Sequence, residues 1–411
     1  MENKKGRFNV WWLSATSFFT DISSEMIFPI LPIFLKDVLG ASFGLIGLIE
    51  GLAEGLGSIL KYFSGYLSDK IHKRKGLTLL GYSISALSKL FFALAQSPLT
   101  VLFFRSLDRT GKGVRTSPRD ALIAESVNES ERGKYFGIHR ASDTAGAVIG
   151  TLIAVGLLFY FDNDIVNAIR SILLISFIPA AIGVLLLLFV REPKFVVKSI
   201  HQLADKKKLF QFGRFSRDFK IFLVAAALFG LANYSYSFYI LRANDVGVMI
   251  AFIPLIYLIY NIFYALSSYP AGRLSDKIGR APVLIGAFVL FAALNLAFAF
   301  EAGKLSIWFL FALYGLFIGL TDGVFKAFVS DLVSRESQGE GFGIYHTVIG
   351  FATLFGNLGA GLIWQTYGAI WPFIISAVLI ILAGLIILIK FFDHRGMKGN
   401  YDIRHFKSYR G

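Results

Sequence analysis

No cysteine occurs in the sequence, and charge is scarce: 17% of the 411 residues are Asp, Glu, Lys or Arg. The missing cysteine excludes a disulfide scaffold and thiolate metal sites. The scarce charge excludes an ordinary soluble domain, in which about a quarter of the residues would be charged. The six histidines, at 72, 139, 201, 346, 394 and 405, show no HExxH or other close ligand spacing. No metal or other cofactor is therefore expected, and enzyme chemistry has no support. The string GKGVRTS resembles a phosphate-binding loop only in part. Ser106 stands where its first Gly is required, and Gly113 follows Lys112 where Ser or Thr is needed.

What is abundant is apolar: 55% of the residues are hydrophobic, with 42 Phe and 40 Gly. A helix needs about 20 apolar residues to cross the hydrocarbon of a bilayer. Five stretches reach that length without a formal charge, at 171–190, 221–241, 246–270, 281–300 and 369–389. Seven more polar stretches carry the same boundary signals, at 9–35, 42–67, 76–96, 98–123, 134–160, 304–330 and 341–366. The expected fold is therefore all-α and polytopic, with twelve transmembrane helices. Asp21 and Glu25 interrupt the first stretch, which argues against a cleaved signal peptide.

The net charge of +14 has an explanation in topology. Connections on one side, with both termini, hold 29 Lys and Arg, whereas the opposite loops hold only Lys36, Arg170, Arg242 and Lys304. The positive-inside rule puts both termini in the cytoplasm of a multi-pass inner-membrane protein, and the excess gives no case for nucleic acid. The longest connection, 191–220, follows the sixth span and divides the chain. The expected organisation is an N-terminal six-helix bundle at 1–190, a cytoplasmic linker at 191–220, a C-terminal bundle at 221–393 and a basic tail at 394–411.

The halves repeat. GYLSDK, from Gly65 to Lys70, returns as GRLSDK, from Gly272 to Lys277, at an offset of 207. KYFGI at 134–138 matches EGFGI at 340–344 at an offset of 206, which also carries Gly150 onto Gly356. Duplicated six-helix units related by an axis along the membrane normal are a secondary-transporter architecture, with substrate handled between them.

On these residues the chain resembles the major facilitator superfamily over essentially its whole length. Its loop signature between second and third helices fits Gly272, Asp276, Lys277, Gly279 and Arg280 closely. In the first half it fits Gly65, Asp69, Lys70, Lys73 and Arg74, with His72 where Gly is usual. The small Gly lets helices approach, and the Asp can face a helix N-terminus while clasping a nearby base. A gating role for Asp69 and Asp276 follows; fixing topology alone is the other reading. In the fourth span Arg105, Gly111 and Gly113 fit a family pattern, while Asp108 and Arg109 depart from it. That string is similar to bacterial drug and metabolite efflux permeases. In the fifth span Gly146 and Gly150 fit an antiporter signature, with Ala147 and Thr151 departing from it, and the same small residues suit tight helix packing.

Ionisable residues inside a span are functional candidates, because each costs about 2.5–3.5 kcal/mol to insert. The first half buries Asp21, Glu25, Glu50, Glu54, Asp108 and Asp143 against Lys61, Lys89, Arg105, Arg109, Lys112, Arg115 and Arg140. The second half has little beyond Asp322 and Lys326, four apart and suited to pair with each other. Asp21 with Glu25 and Glu50 with Glu54 share helix faces, and Arg105, Asp108, Arg109, Lys112 and Arg115 form a stripe along the fourth span. The resemblance places the first and fourth helices around a central cavity, so the Asp21/Glu25 face is expected to meet this stripe. Two readings fit the network: proton coupling, led by Glu25 and Asp21, and static neutralisation of buried pairs.

Arg105 and Arg109 are also candidates for holding a substrate carboxylate or phosphate. Asn233, Tyr234 and Tyr236, with Asp322, are expected at the substrate cavity, whereas Tyr239 reads as an interfacial belt residue. The resemblance thus implies a monomeric secondary active transporter with a small-molecule substrate and protons as partners. Export of a small organic or amphipathic molecule in exchange for protons leads. Proton symport of a metabolite or organic anion into the cell is the alternative, and a ligand sensor without transport is the reading from another class.

The absence of native thiols makes the orientation testable. With a single cysteine at Lys36→Cys or Lys207→Cys, a membrane-impermeant maleimide added to intact cells should label the first and spare the second. The reverse pattern would invert the topology.

Overall fold

The computed structural model describes residues 2–71, 73–128, 131–161, 164–192, 215–300, 303–334 and 337–392, with the side chains of residues 2–6 and of Tyr62, Tyr66, Asp69 and Phe392 outside the description. Most of the expected linker, residues 193–214, and the whole of the expected tail thus lie outside the described residues.

Helices account for the architecture. The first span is α1 (Glu2–Ile27), a short α2 (Leu31–Ile33) and a π-helical turn at Phe34–Val38. Five further spans follow as α3 (Phe43–Ile71), α4 (Arg74–Ala93), α5 (Pro98–Glu125), α6 (Arg132–Tyr160) and α7 (Ile165–Leu187). The second bundle opens with a broken span, α8 (Arg217–Ala232) and α9 (Tyr236–Asp245). It continues with α10 (Ile253–Ile278), α11 (Arg280–Phe300), α12 (Ser306–Leu332), α13 (Gln338–Tyr367) and α14 (Ile370–Ile387). Eleven of the spans are apolar enough to cross a membrane on composition alone. The twelfth, α5, falls short because of its charge, and its neighbours compensate by burying Arg105, Asp108, Arg109 and Arg115 to 6% exposure or less.

Local chemistry sets the helix ends. Ser97, Asp164 and Ser216 accept hydrogen bonds from the backbone N–H three residues on, satisfying a donor that the first turn leaves free. The Glu192 carboxylate, just beyond α7, accepts from the N–H groups of Arg74 and Lys75 at 2.8 and 2.9 Å and caps α4. At the break between α8 and α9 the freed backbone also finds partners. Ser376 donates to the Ala232 carbonyl at 2.7 Å, and the Ser235 N–H donates to Asn357 Oδ1 at 2.7 Å.

Small residues set how closely the helices pack. A Cβ on Gly146 or Gly150 of α6 would overlap the carbonyls of Phe18 or Ile22 of α1. In the second bundle, Gly356 of α13 meets the Leu231 carbonyl of α8 in the same manner. The duplication extends to ion pairs: Arg74 binds Glu125 at 2.7 Å, and at an offset of 206 Arg280 binds Asp331 at 3.0 Å.

The bundles meet along α3 with α13 and α6 with α10. The α3–α13 contact is closest towards the start of α3, where Gly47 and Gly51 abut the carbonyls of Asn357 and Leu354. Phe43 stacks on Trp364 at 4.9 Å, Phe159 meets Phe252 edge-on, and Asn244 donates to Asp37 at 3.1 Å. Towards the other end, Arg140, Ser268, Asp322 and Lys326 are exposed although they sit well inside their helices. The cavity is therefore sealed on the side where α3 begins and open on the side where α1 begins.

Filling the α1–α6 contact should be costly. Gly150→Val is expected to destabilise the protein by about 1–3 kcal/mol, as overpacking does, read as a fall of several degrees in the melting temperature of purified protein. Gly156→Val on the same helix, where a Cβ meets nothing within 4 Å, should leave it unchanged.

Candidate functional site

The charged stripe of α5 faces two ways. Arg105 and Arg109, one turn apart, point at Glu50 and Glu54, one turn apart on α3. The Arg105–Glu50 distance is 3.6 Å and the Arg109–Glu54 distance 3.5 Å. Asp108 lies 3.8 Å from Arg105. Arg115 turns towards α4 and stacks its guanidinium on Tyr82 at 4.2 Å. The expectation that the stripe pairs with Asp21 and Glu25 is therefore corrected for its arginines. The parallel helices α3 and α5 are drawn together at Gly113, where a Cβ would strike Leu60. That approach puts the two i,i+4 pairs in register. The first span enters instead through Phe28, whose ring lies under Arg105 at 4.9 Å, Arg109 at 4.8 Å and Lys112 at 6.0 Å.

Asp21 and Glu25 remain on the cavity side of α1 without an ion-pair partner among the described residues. Asn261 of α10, from the other bundle, donates to Glu25 Oε2 at 3.2 Å. Asp21 feels the charges of Asp143, Lys112, Arg115 and Arg119. Behind this face Lys89 of α4 is 1% exposed and donates to Ser23 and Ser24 of α1 at 3.0 and 2.8 Å. It fixes the rotation of α1 and so the direction in which Asp21 and Glu25 point.

The second bundle supplies an aromatic wall. Tyr236 of α9 meets Tyr257 at 5.0 Å, and Tyr257, Tyr260 and Tyr264 step down α10 at helical spacing, with Tyr314 of α12 stacked on Tyr260 at 4.9 Å. Tyr264 donates to Asp322 at 3.2 Å, and Lys326 pairs with Asp322 at 2.8 Å. Between the walls Ser235 donates to Glu50 Oε2 at 3.0 Å, and Arg105 donates to the Tyr236 hydroxyl at 3.2 Å. The fully buried Glu50–Arg105 pair of one bundle is thus capped by hydroxyls of the other bundle's broken helix.

Two tyrosines sit elsewhere than expected. Tyr234 is 3% exposed and packs against Phe238 in the core. Tyr239 is fully buried and donates to Asn295 at 3.0 Å, so it is a core residue and not a belt residue. Asn233, half-buried at the helix break, has a side-chain oxygen that finds no hydrogen bond among the described residues. Of the gating motifs, Asp276 accepts from Arg280 at 2.5 Å, and Ser275 and Asp331 hold the same guanidinium. Gly279 ends α10 at φ 97°, a backbone conformation that favours Gly. The Asp69 side chain and His72 lie outside the described residues, while Gly65 approaches Ser117 of α5 and Lys70 is exposed.

Sequence reasoning missed Asn261, the structural part played by Lys89, and the α10 tyrosines. The tyrosine spacing was there to be found at 257, 260 and 264; a lone Asn in an apolar run carried no signal of its partner.

Comparison with known proteins fits this geometry. The profile of the Major Facilitator Superfamily matches residues 13–249 and again 240–404. An uncharacterised MFS-type transporter of Methanocaldococcus jannaschii is 41% identical over 388 residues, 92% of this chain and 94% of that one. A multidrug resistance protein, MdtH, of Photorhabdus laumondii is 32% identical over 135 residues, a third of either chain. Among solved structures, the nucleoside transporter NupG aligns with a TM-score of 0.76 at 16% identity, covering 94% of this chain and all of that one. A D-xylose-proton symporter aligns at 0.75 and 15%, covering 96% and 99%. With a helical chain of two six-helix bundles and a polar cavity between them, these matches establish that the protein belongs to the Major Facilitator Superfamily of membrane transporters.

Proposed function

We propose that this transporter exports a small organic or amphipathic molecule in exchange for protons, by alternating access between its two bundles. The observation that carries the proposal is the Glu25–Asn261 hydrogen bond. It joins a carboxylate of the first bundle to an amide of the second, so the proton occupancy of Glu25 and the relative position of the bundles are linked. As a carboxylate, Glu25 accepts the amide proton across the cavity; once protonated, it loses the charge that favours that contact. Asp21, one turn away, is the second proton carrier and passes protons towards the open side.

The substrate lies between the charged wall and the tyrosines. Arg109 and Asp322 offer charge and Tyr236 an amphipathic surface, with the part-exposed Glu54 available to a cationic group; Arg105, fully buried against Glu50, is withdrawn from the substrate. The similarity of one third of the chain to a multidrug resistance protein favours export. Asp276 with Arg280, and Asp69 in the equivalent loop, gate the open side by holding the ends of their own bundles in one state and exchanging partners in the other. The protein works as a monomer in the inner membrane, with both termini cytoplasmic.

In proteoliposomes, Glu25→Gln should abolish the acceleration of substrate flux by a proton gradient while leaving substrate counterflow intact. Undiminished coupling in this variant would exclude Glu25 as the carrier. The sign of the gradient that accelerates flux distinguishes export by exchange from uptake by symport.

Tyr236→Phe removes a hydroxyl from a buried arginine and should weaken the outer seal by about 1–3 kcal/mol. A cysteine placed at Asn244→Cys should then react with an impermeant maleimide roughly fivefold faster or more. An unchanged labelling rate would show that the hydroxyl does not hold the seal.

A further inference from the structure

The cavity uses one side of α10; the other side holds a groove that the transport mechanism leaves unused. Tyr257, Asn261 and Tyr264 face the cavity. Gly315 and Gly319 of α12 press against Tyr260, Phe263, Tyr264 and Ser267. Beyond that contact line lies a groove of about 710 Å³, floored by Phe263, Leu266, Pro270 and Leu274 of α10 and by Leu316 and Leu320 of α12. Leu266 is 68% and Tyr269 72% exposed. In a membrane-spanning bundle, apolar surface turned away from the cavity to this degree faces lipid acyl chains.

The cytoplasmic end of the groove is closed by two bases. Arg273 and Lys277 are one helical turn apart on the same face, both exposed. Neither has a carboxylate within ion-pairing distance among the described residues. Arg273 lies over the ring of Tyr269 at 5.8 Å. The nearby Asp276 is engaged by Arg280.

Dimensions and charge agree on one occupant. From Phe263 to Arg273 the helix rises about 15 Å, half of the roughly 30 Å hydrocarbon core and so the depth of one leaflet. A guanidinium and an ammonium at the level of the cytoplasmic headgroups complement a phosphodiester, and an arginine can hold two of its oxygens at once. Fold symmetry does not dictate the arrangement. At the repeat offset of 207, Phe63 stands in place of Pro270 and Tyr66 in place of Arg273, so the first bundle lacks both the proline and the second base. Pro270 has no N–H to give to the Leu266 carbonyl, which loosens α10 where the groove opens.

We propose that the groove between α10 and α12 is a binding site for an anionic phospholipid of the cytoplasmic leaflet. Arg273 and Lys277 hold the headgroup phosphate, and an acyl chain lies along Leu266, Leu316 and Leu320. The headgroup rests beside Asp276, so the lipid steadies the end of α10 that carries the gating motif.

Native mass spectrometry of the full-length protein tests this, with phosphatidylglycerol and phosphatidylcholine of identical acyl chains. Wild type should retain phosphatidylglycerol preferentially, and excess glycerol 3-phosphate should not displace it, because a free phosphate lacks the chain. Each base should contribute roughly fivefold to retention, the equivalent of about 1 kcal/mol. Arg273→Gln with Lys277→Gln should therefore abolish the preference, and Lys36→Gln on the other side of the membrane should not. Leu320→Trp, which fills the groove and leaves both bases in place, should reduce retention of phosphatidylglycerol. Equal retention of the two lipids by wild type would overturn the proposal, as would a preference that survives both the double substitution and Leu320→Trp. Displacement by glycerol 3-phosphate would reassign the site to a soluble phosphate and overturn it equally.

Discussion

A guanidinium in the middle of a bilayer is tolerable only when a carboxylate meets it, and the pairing of α5 with α3 is the constraint on which the rest of this transporter depends. Arg105 and Arg109 cannot turn to lipid, and Glu50 and Glu54 cannot turn either, so the rotation of both helices is fixed by the need to face each other. Once it is fixed, Lys112 falls beside Phe28, Arg115 is directed to Tyr82, and Gly111 and Gly113 lie against α4 and α3. The same pair reaches across the molecule, because Ser235 and Tyr236 of the second bundle supply hydroxyls to it. An interaction that stabilises one bundle internally thereby also sets how the other bundle docks.

The two bundles have diverged in chemistry while keeping their geometry. Arg74 with Glu125 and Arg280 with Asp331 hold equivalent helix ends, and Gly150 and Gly356 make equivalent close approaches. At the centre the equivalence stops. Position 108 is an aspartate where its counterpart 314 is a tyrosine, and position 109 is an arginine where 315 is a glycine. One wall became ionic and the other aromatic. The ionic wall carries paired charges, and the aromatic wall presents apolar ring faces with polar hydroxyl tips.

The spans were legible because hydrophobic length is a one-dimensional property, and even the repeat was visible in two short strings. Partner choice was not legible. The stripe on α5 is compatible by spacing with the Asp21/Glu25 face and with the Glu50/Glu54 face, and the choice rests on how closely α3 and α5 approach at Gly113, which no spacing encodes. Tyr234 and Tyr239 were misjudged for a related reason. Their span breaks at 233–235, and the structure turns both rings into the core, a placement that neither tyrosine chemistry nor a position near the end of a span encodes. Asn261 acquires its partner from the other bundle, some 236 residues away in sequence.

The charge on α5 has a consequence for how the protein is made. With Arg105, Asp108, Arg109, Lys112 and Arg115 in its middle, the isolated helix would face an insertion cost on the order of 10 kcal/mol, and no hydrophobic length offsets it. It can enter the bilayer only in company, with α3 already present to offer Glu50 and Glu54 and α4 to offer Tyr82 and the small face at Gly81. Synthesis order supplies both before α5 emerges. The first bundle is therefore assembled around a pair of acids already in place when α5 arrives.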